Sequence, residues 1–298
     1  MCGIVGLFLK NEQLQPKLGE HLSRMLATMS ARGPDSAGIA IYGAGDNDLI
    51  KLTLRAADAG ADGDLARKLG AALGAPVDLV RRSNHLVAMI PRERQQQALA
   101  WLREHHPDIH LVSAGSRMEI YKDVGLPERV ANQFSLPAMQ GTHGIGHTRM
   151  ATESAVTTDG AHPFSTGADQ CLVHNGSLSN HNAVRRNLRR EGVVFETEND
   201  SEVAAGYLTW RMREGDTLKQ ALTSSLYALD GFFTFVVGTR DGFAVLRDPI
   251  ACKPAVLAES DDYVAFGSEF RALSVLPGIE SARVFEPEPA TVYAWERR

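Results

Sequence analysis

The sequence predicts a globular α/β chain, either one large domain or two ordinary ones. Residues 3–8 form an apolar run of strand length, and 231–238 and 242–247 are two more such runs separated by three residues. Leucines and methionines recur every three or four residues between 18 and 29, which is the spacing of an amphipathic helix. A chain of 298 residues that is 44% hydrophobic can bury a sizeable core between such elements.

The front of the chain predicts a strand, a helix and a second strand, in that order. The helical spacing at 18–29 ends before Arg32-Gly33-Pro34-Asp35, which is typical of a turn. Residues 36–42 then form the second predicted strand, and a loop at 43–46 closes it. These elements belong to the predicted main body.

The middle of the chain, from about 51 to 140, follows a different pattern of predicted elements. It predicts a strand, a helix around 65–73, a strand at 85–90, a helix through 99–102, a strand at 109–112, and a further strand and helix. The alternation predicts a small α/β insertion packed on the main body.

The back of the chain is rich in strands. Residues 143–149 begin like a strand, and 171–173 form a short apolar strand. The runs at 231–238 and 242–247 predict a hairpin, and 263–267 adds another strand.

The composition and charge exclude several classes of protein. The net charge of −5 arises from interspersed acidic and basic residues, which argues against a nucleic-acid or anionic membrane surface as the main partner. No apolar stretch reaches the roughly 18 residues of a membrane helix, and the N-terminus lacks the basic start and cleavage site of a signal peptide. We therefore predict a cytoplasmic protein that binds neither nucleic acid nor membrane.

The three cysteines, Cys2, Cys171 and Cys252, include no C-x-x-C pair. Their odd number and spacing predict neither a disulfide framework nor a cysteine-held cluster. Cys171 and Cys252 lie in apolar surroundings and are predicted to be core thiols.

Cys2 follows Met1 directly, so removal of one residue would place a thiol and a free α-amine on the same residue. The reference pKa values, roughly 7.7–8.0 for the amine and roughly 8.5 for the thiol, let the amine act as base toward its own side chain. The alternative is a buried cysteine in an N-terminal strand, because residues 4–8 are mostly apolar.

Residues able to bind a substrate begin at the end of the predicted strand 143–149. Arg149 and Thr152 lie where loops carry function, and an arginine fork holds a carboxylate by two contacts. Asp200 precedes an apolar run, where acidic residues cap a helix, and the same carboxylate suits a substrate ammonium.

The pair Asn175-Gly176 allows two interpretations. Asn-Gly is a strong turn signal, so one is a plain hairpin corner. The other is an oxyanion hole, in which the Asn175 side-chain amide and the Gly176 backbone N–H point toward a developing negative oxygen.

Six ordered motifs together resemble those of class II glutamine amidotransferases, which have an N-terminal nucleophile. The motifs are C-G-I-V-G from Cys2, R-G-P-D-S-A-G at 32–38, G-H-T-R-M-A-T at 146–152, A-H-P-F at 161–164, H-N-G at 174–176 and N-D-S-E at 199–202. The resemblance covers essentially the whole chain apart from the inserted middle. The insertion and three later motifs are most similar to the separate amidotransferase subunit of glutamate-synthase-type complexes, in particular the A subunit of N-methylglutamate synthase. Those motifs are R-D-P-I-A-C-K-P-A at 247–255, S-E-F-R-A-L at 268–273 and E-P-E-P at 286–289.

The resemblance implies an α+β fold, a four-layer α-β-β-α sandwich of the N-terminal nucleophile hydrolase type. One amidotransferase domain would cover 2–298 and contain the inserted α/β segment at about 51–140. It implies that Cys2 attacks the side-chain amide of glutamine and forms a γ-glutamyl thioester, while Asn175 and Gly176 hold the oxyanion.

The resemblance also assigns the substrate-binding residues. Arg149 would bind the α-carboxylate with Thr152 beside it, and Asp200 would bind the α-ammonium. Arg32 matches an arginine near the nucleophile, and His174 matches a position that we interpret as orienting the site's loops, as we do for His162. We predict no metal site from His143 and His147, because no companion carboxylate or third histidine is evident nearby.

The resemblance implies partner subunits of a hetero-oligomeric synthase. This chain would carry no cofactor, and flavin and iron–sulfur clusters are expected on the partners. The substrate is expected to be glutamine or a related γ-glutamyl amide, and the final nitrogen acceptor stays open between 2-oxoglutarate and methylamine routes. The alternative function is a non-catalytic subunit that binds glutamine or glutamate in the same complex.

Overall fold

The computed structural model of the chain describes residues 2–56, 62–150 and 156–297, and these residues form sheets of seven, five and four strands. The strands are β1 (Gly3–Leu9), β2 (Ser36–Tyr42), β3 (Leu49–Ala56), β4 (Asp78–Arg82), β5 (His85–Pro91), β6 (Ile109–Gly115), β7 (Met118–Val124), β8 (His143–Arg149), β9 (Phe164–Gly167), β10 (Gln170–Leu178), β11 (Gly231–Thr239), β12 (Gly242–Arg247), β13 (Val256–Glu259), β14 (Tyr263–Gly267), β15 (Arg283–Phe285) and β16 (Val292–Glu296). The helices are α1 (Leu18–Ala27), α2 (Asp62–Leu73), α3 (Gln95–His105), α4 (Pro127–Gln133), α5 (His181–Arg190), α6 (Asp200–Arg213), α7 (Leu218–Ala228) and α8 (Phe270–Leu273).

Two sheets face each other and form the body of the molecule. The first has the strand order β15-β13-β14-β1-β8-β2-β7, and the second has the order β16-β12-β11-β10-β9. Alternation along β1 shows how one strand serves two layers, because Ile4 and Phe8 enter the core between the sheets while Val5, Leu7 and Leu9 face the helices. Burying such a side chain contributes about 1.5–3 kcal/mol relative to leaving it exposed.

Helices cover the outer faces of both sheets. The core outside the first sheet includes residues of α1, α4 and α8, and the core outside the second includes residues of α5, α6 and α7. The predicted α-β-β-α sandwich is therefore confirmed. Within the described ranges, no helix combines the length and apolarity needed to cross a bilayer.

The four-stranded sheet, in the order β4-β5-β3-β6, is antiparallel and lies in the predicted insertion. One face packs on α2 and α3 through a separate core, while Val87 on the other face joins the core of the main body. This sheet ends at Gly115, because β7 pairs with β2 and α4 packs on the first sheet. The last part of the segment predicted at about 51–140 thus belongs to the sandwich.

Several predicted elements are confirmed with small shifts. The helix predicted at 18–29 ends at Ala27, and a 3-10 turn, Ser30–Arg32, follows it. The predicted hairpin is formed by β11 and β12, with Thr239 paired to Gly242. The strand predicted at 263–267 is β14.

Candidate active site

The start of β1 lies at the same end of the sandwich as the end of β8 and the start of β2. Gly3 pairs with Thr148, and Ser36 pairs with Arg149. Since side chains alternate along strands and those deeper in the same strands enter the core between the sheets, Cys2, Arg149 and Ser36 face the second sheet. The first sheet thus presents polar groups at this end.

The second sheet presents polar groups at the same end. Asn175 on β10 pairs with Thr234 on β11, and both side chains are buried. Two residues deeper, Val173 and Val236 lie in the core shared by the sheets. At this end of the sandwich, a layer of polar side chains therefore lies above the apolar core between the sheets.

Two side chains from separate elements contact the main chain of Cys2. Its carbonyl oxygen accepts a hydrogen bond from Arg32 Nε at 3.0 Å and a longer one from Asn175 Nδ2 at 3.4 Å. Ile4 of β1 is held as well. Its N–H donates to Ser268 Oγ at 2.9 Å, and Ser268 N donates to the Ile4 carbonyl oxygen at 2.9 Å. The half-buried Cys2 therefore sits on a fixed backbone.

Arg32 is buried and bound to Glu269. The Nη1–Oε1 distance is 2.5 Å, and the second oxygen of Glu269 binds Arg271 Nε at 2.8 Å. The hydrogen bond from Arg32 is the main cause that lowers the pKa of Glu269 from its usual value of 4.5. An ionised Glu269 thus holds the guanidinium that contacts Cys2.

The hairpin-corner interpretation of Asn175-Gly176 is wrong. Both residues lie inside β10, which pairs with β11 from Cys171 to Leu178. Glycine is required at 176 for a steric reason, since a Cβ there would lie 1.9 Å from the Phe232 carbonyl oxygen. Close strand packing, and not a turn, accounts for this glycine.

His174 and Asp200 lie next to each other behind β10. His174 Nδ1 is 2.9 Å from Ser201 Oγ and 3.8 Å from Asp200 Oδ1, and burial lowers the pKa of His174. Asp200 Oδ2 accepts a hydrogen bond from Leu178 N at 2.9 Å. Asp200 opens α6 after the N-cap Asn199, which confirms the predicted helix start.

Arg149 is buried at the end of β8. A Cβ at Gly160 would lie 3.1 Å from Arg149 Nη1, so the chain at 160 passes close to the guanidinium. Thr152, the predicted neighbour of the carboxylate site, lies outside the described residues.

A pair of histidines lies beneath Arg149. The ring centroids of His147 and His162 are 4.0 Å apart. Burial lowers the pKa of His147 to about 3 and that of His162 well below 6.5, so both rings are neutral at pH 7. Within residues 2–56, 62–150 and 156–297, no three His, Cys, Asp or Glu side chains are grouped to hold a metal ion.

The other two cysteines differ from each other. Cys171 lies in the core between the sheets, where burial raises the pKa of its thiol to about 11. Cys252 is exposed, so the prediction of a core thiol is wrong at this position. It lies in the loop after β12, where Ile250 is also exposed and where Asp248 accepts hydrogen bonds from the backbone N–H groups of Ile250 and Ala251.

Comparisons with known proteins give the family of this chain. A family model described as a glutamine amidotransferase domain matches residues 147–275. The chain is 61% identical to the glutamine amidotransferase-like protein GlxB of Rhizobium meliloti (strain 1021), over 100% of this chain and 99% of that protein. This chain belongs to the glutamine amidotransferase family.

More distant relatives give the same family and the fold. A putative glutamine amidotransferase of Methanothermobacter thermautotrophicus is 32% identical over 99% of this chain and 100% of its own. The solved glutamine phosphoribosylpyrophosphate amidotransferase of B. subtilis, complexed with ADP and GMP, has a TM-score of 0.61 at 19% identity over 99% of this chain. A structure titled the allosteric regulatory enzyme of purine biosynthesis has a TM-score of 0.65 at 20% identity over 99% of this chain. The chain spans about half the length of these two structures, 49% and 47%, and they support the N-terminal nucleophile hydrolase fold.

The structure brings some of the predicted residues into direct contact with Cys2. It places another beside Cys2 only through the pairing of neighbouring strands. Arg32 and Asn175 contact Cys2, and Arg149 lies in register beside it. Sequence reasoning missed Ser268 and Glu269, although both lie in the S-E-F-R-A-L motif at 268–273 that carries part of the resemblance. It gave no sign that Glu269 would meet Arg32, 237 residues away.

Proposed function

We propose that this amidotransferase hydrolyses the side-chain amide of glutamine, or of a related γ-glutamyl compound, with Cys2 as its nucleophile after removal of Met1. One observation carries the proposal: the side chains of Arg32 and Asn175 converge on the carbonyl oxygen of Cys2. Two buried side chains donate hydrogen bonds to one backbone atom of Cys2. This favours a reactive residue held in position over an ordinary core cysteine.

The chemistry follows from the thiol and the α-amine on one residue. The Cys2 sulfur attacks the amide carbon, and its proton passes to the α-amine. The amine then returns the proton to the leaving nitrogen, the C–N bond breaks, and ammonia departs from the γ-glutamyl thioester. Water hydrolyses the thioester to glutamate and restores the thiol. The Asn175 amide and the Gly176 N–H are assigned to the oxyanion, where losing one donor costs about 2.7–4 kcal/mol.

The remaining polar groups are assigned to the amino-acid end of the substrate. Arg149 binds the α-carboxylate, since a guanidinium matches a carboxylate by two parallel hydrogen bonds. Asp200 binds the α-ammonium, with His174 and Ser201 holding the carboxylate in place. Thr152 is assigned beside Arg149 on the resemblance alone.

A further part of the proposal concerns the complex that uses the nitrogen released from glutamine. We propose that the amidotransferase serves a glutamate-synthase-type complex, with N-methylglutamate synthase as the specific candidate and with flavin and iron–sulfur centres on the partner subunits. The motifs at 247–255 and 268–273 support this, and they lie at the Cys2 end of the sandwich, where Ser268 and Glu269 hold β1 and Arg32.

Intact-mass spectrometry tests the proposal directly. The purified chain is incubated with 6-diazo-5-oxo-L-norleucine, a glutamine-mimicking electrophile, and the labelled peptide is sequenced. We expect a chain that lacks Met1 and carries one adduct at Cys2, with labelling suppressed by excess L-glutamine. Glutaminase activity should be lost in Cys2→Ala with the fold retained.

Cys252→Ala is the matched control, because Cys252 is an exposed thiol. This variant should label and hydrolyse glutamine as the wild type does. A chain that retains Met1, or an adduct at Cys252 and none at Cys2, would refute the nucleophile. Glutamine binding without labelling would instead favour the non-catalytic subunit.

A further inference from the structure

The inserted sheet contacts the loop that follows Arg149. Arg55 on β3 forms a two-point ion pair with Asp159, with Nε–Oδ1 at 3.1 Å and Nη2–Oδ2 at 2.8 Å. The Arg55 side chain is only 19% exposed, whereas that of Asp159 is 48% exposed. This fork holds the Asp159 carboxylate in both position and orientation.

A second contact joins the insertion to the same loop indirectly, through Asp123 on β7 of the main body. Asn84, in the turn between β4 and β5, donates to Asp123 Oδ2 at 3.0 Å. The other oxygen of Asp123 accepts a hydrogen bond from Thr158 Oγ1 at 2.8 Å. The insertion therefore holds residue 159 directly, and it reaches residue 158 only through Asp123 of the main body.

The main body also holds the loop through the residue next to Asp123 on β7. Lys122 on β7 is buried, and its Nζ donates to the carbonyl oxygens of Asp159 at 3.1 Å and Ala161 at 2.9 Å. Gly160 lies between these two anchors. The segment 158–161 is thus fixed at each residue around Gly160.

Gly160 is the point at which this segment meets the site. A Cβ at this residue would lie 3.1 Å from Arg149 Nη1, a distance tighter than ordinary van der Waals contact. Glycine lacks this atom, so its backbone passes close to the guanidinium, and a displacement of residue 160 would alter the space beside Arg149.

We propose that Arg55 of the inserted sheet is a positioning residue for substrate binding, acting through Asp159 and Gly160 on Arg149. The inference rests on the proposed function, because it takes Arg149 as the residue that binds the substrate carboxylate. It gives the insertion a part in the reaction: the insertion sets the geometry of the carboxylate site while touching no reacting atom.

The test compares two reagents that label Cys2. The diazo compound carries an α-carboxylate and needs Arg149, whereas iodoacetamide carries none. For Arg55→Gln in the full chain we expect the KM for glutamine and the half-saturating concentration of the diazo compound to rise about threefold to tenfold, with kcat unchanged. The rate of Cys2 alkylation by iodoacetamide should stay within about twofold of wild type, because the thiol is untouched.

Three further variants sharpen the comparison. Asp159→Asn should reproduce the effect, and the double variant should lose no more than either single one, since both remove the same contact. Arg55→Lys keeps the charge without the fork and should fall between wild type and Arg55→Gln. Arg67→Gln is the matched control, because it removes an exposed ion pair with Asp64 within the insertion.

The outcomes separate the inference from the function on which it rests. If wild type reacts with the diazo compound at Cys2 and Arg55→Gln shows an unchanged KM, the inference is wrong and the function stands. A parallel fall in iodoacetamide reactivity would also overturn it, because the whole site would then be disturbed. If wild type does not react with the diazo compound, the proposed function fails and the inference fails with it.

Discussion

Glu269 and Cys2 are joined by a single guanidinium. Arg32 Nη1 lies 2.5 Å from Glu269 Oε1, while its Nε donates to the carbonyl oxygen of Cys2 at 3.0 Å. The hydrogen bonds between Ser268 and Ile4 bring the start of α8 to the same strand. The dipeptide Ser268-Glu269 thus holds the first residues of β1 from outside the predicted substrate site.

Glu269→Gln keeps the shape of the side chain and removes its charge. We expect glutaminase kcat and the rate of Cys2 alkylation to fall about threefold to tenfold with little change in KM, because Arg32 would hold Cys2 less firmly. Steady-state kinetics and timed mass spectrometry measure both quantities. Glu280→Gln is the control, since Glu280 is exposed in the following connection. Equal kinetics for the two variants would contradict the role of Glu269.

Arg149→Lys tests the predicted carboxylate site. Arg149 is buried at the end of β8, and an ammonium cannot reproduce the two-point contact of its fork. We expect the KM for glutamine to rise about tenfold to a hundredfold, with a smaller change in kcat. Arg240→Lys, at an exposed position in the β11–β12 turn, should leave KM unchanged. An unchanged KM in Arg149→Lys would count against this assignment.

Local patterns predicted the strands and several helices because their physical causes lie within a few residues. The run at 3–8 is β1 because its alternate side chains fill two cores, and Thr239-Arg240-Asp241 lies at the turn of the predicted hairpin. The start of α7 also has a local cause, because Thr217 and Gln220 form a capping box there.

The features that the sequence did not reveal depend on contacts distant in sequence. The turn preference of Asn175-Gly176 is overridden by pairing along β10 and β11, which the dipeptide cannot reveal. Glu269 meets Arg32 across 237 residues, and Gly160 meets Arg149 only because the insertion and β7 hold the loop between them. Sequence motifs identify the residues of such a site. The residues that hold them in place can be identified only from the fold.

Gly176→Ala tests the close packing beside the predicted oxyanion site. The new Cβ would lie 1.9 Å from the Phe232 carbonyl oxygen and 2.8 Å from His174 Nε2, so β10 and β11 must separate. We expect a loss of about 1–3 kcal/mol of stability or more, together with most of the glutaminase activity. Chemical denaturation and kinetics measure these effects. Gly63→Ala, where the Cβ meets open space on α2, should show neither loss, and similar behaviour of both variants would refute the steric argument.

His143 lies at the opposite end of β8 from Arg149 and is buried. Its ring stacks on Tyr42 at 4.0 Å, its Nε2 is 2.8 Å from the Thr239 carbonyl oxygen, and its Nδ1 is 2.8 Å from Thr142 Oγ1. Burial lowers the pKa of His143 from 6.5 to about 4. The folded chain therefore favours the neutral ring.

Between pH 4 and 6.5 the unfolded chain binds this proton and the folded chain does not, so the free energy of unfolding falls as the pH drops. From pH 7.5 to pH 5 this single residue accounts for a loss of about 2 kcal/mol. Urea denaturation at both pH values should show that His143→Gln loses less stability over this interval than wild type. The exposed His110→Gln should follow wild type. Equal pH dependence in His143→Gln and wild type would mean that the buried ring is not the source of the loss.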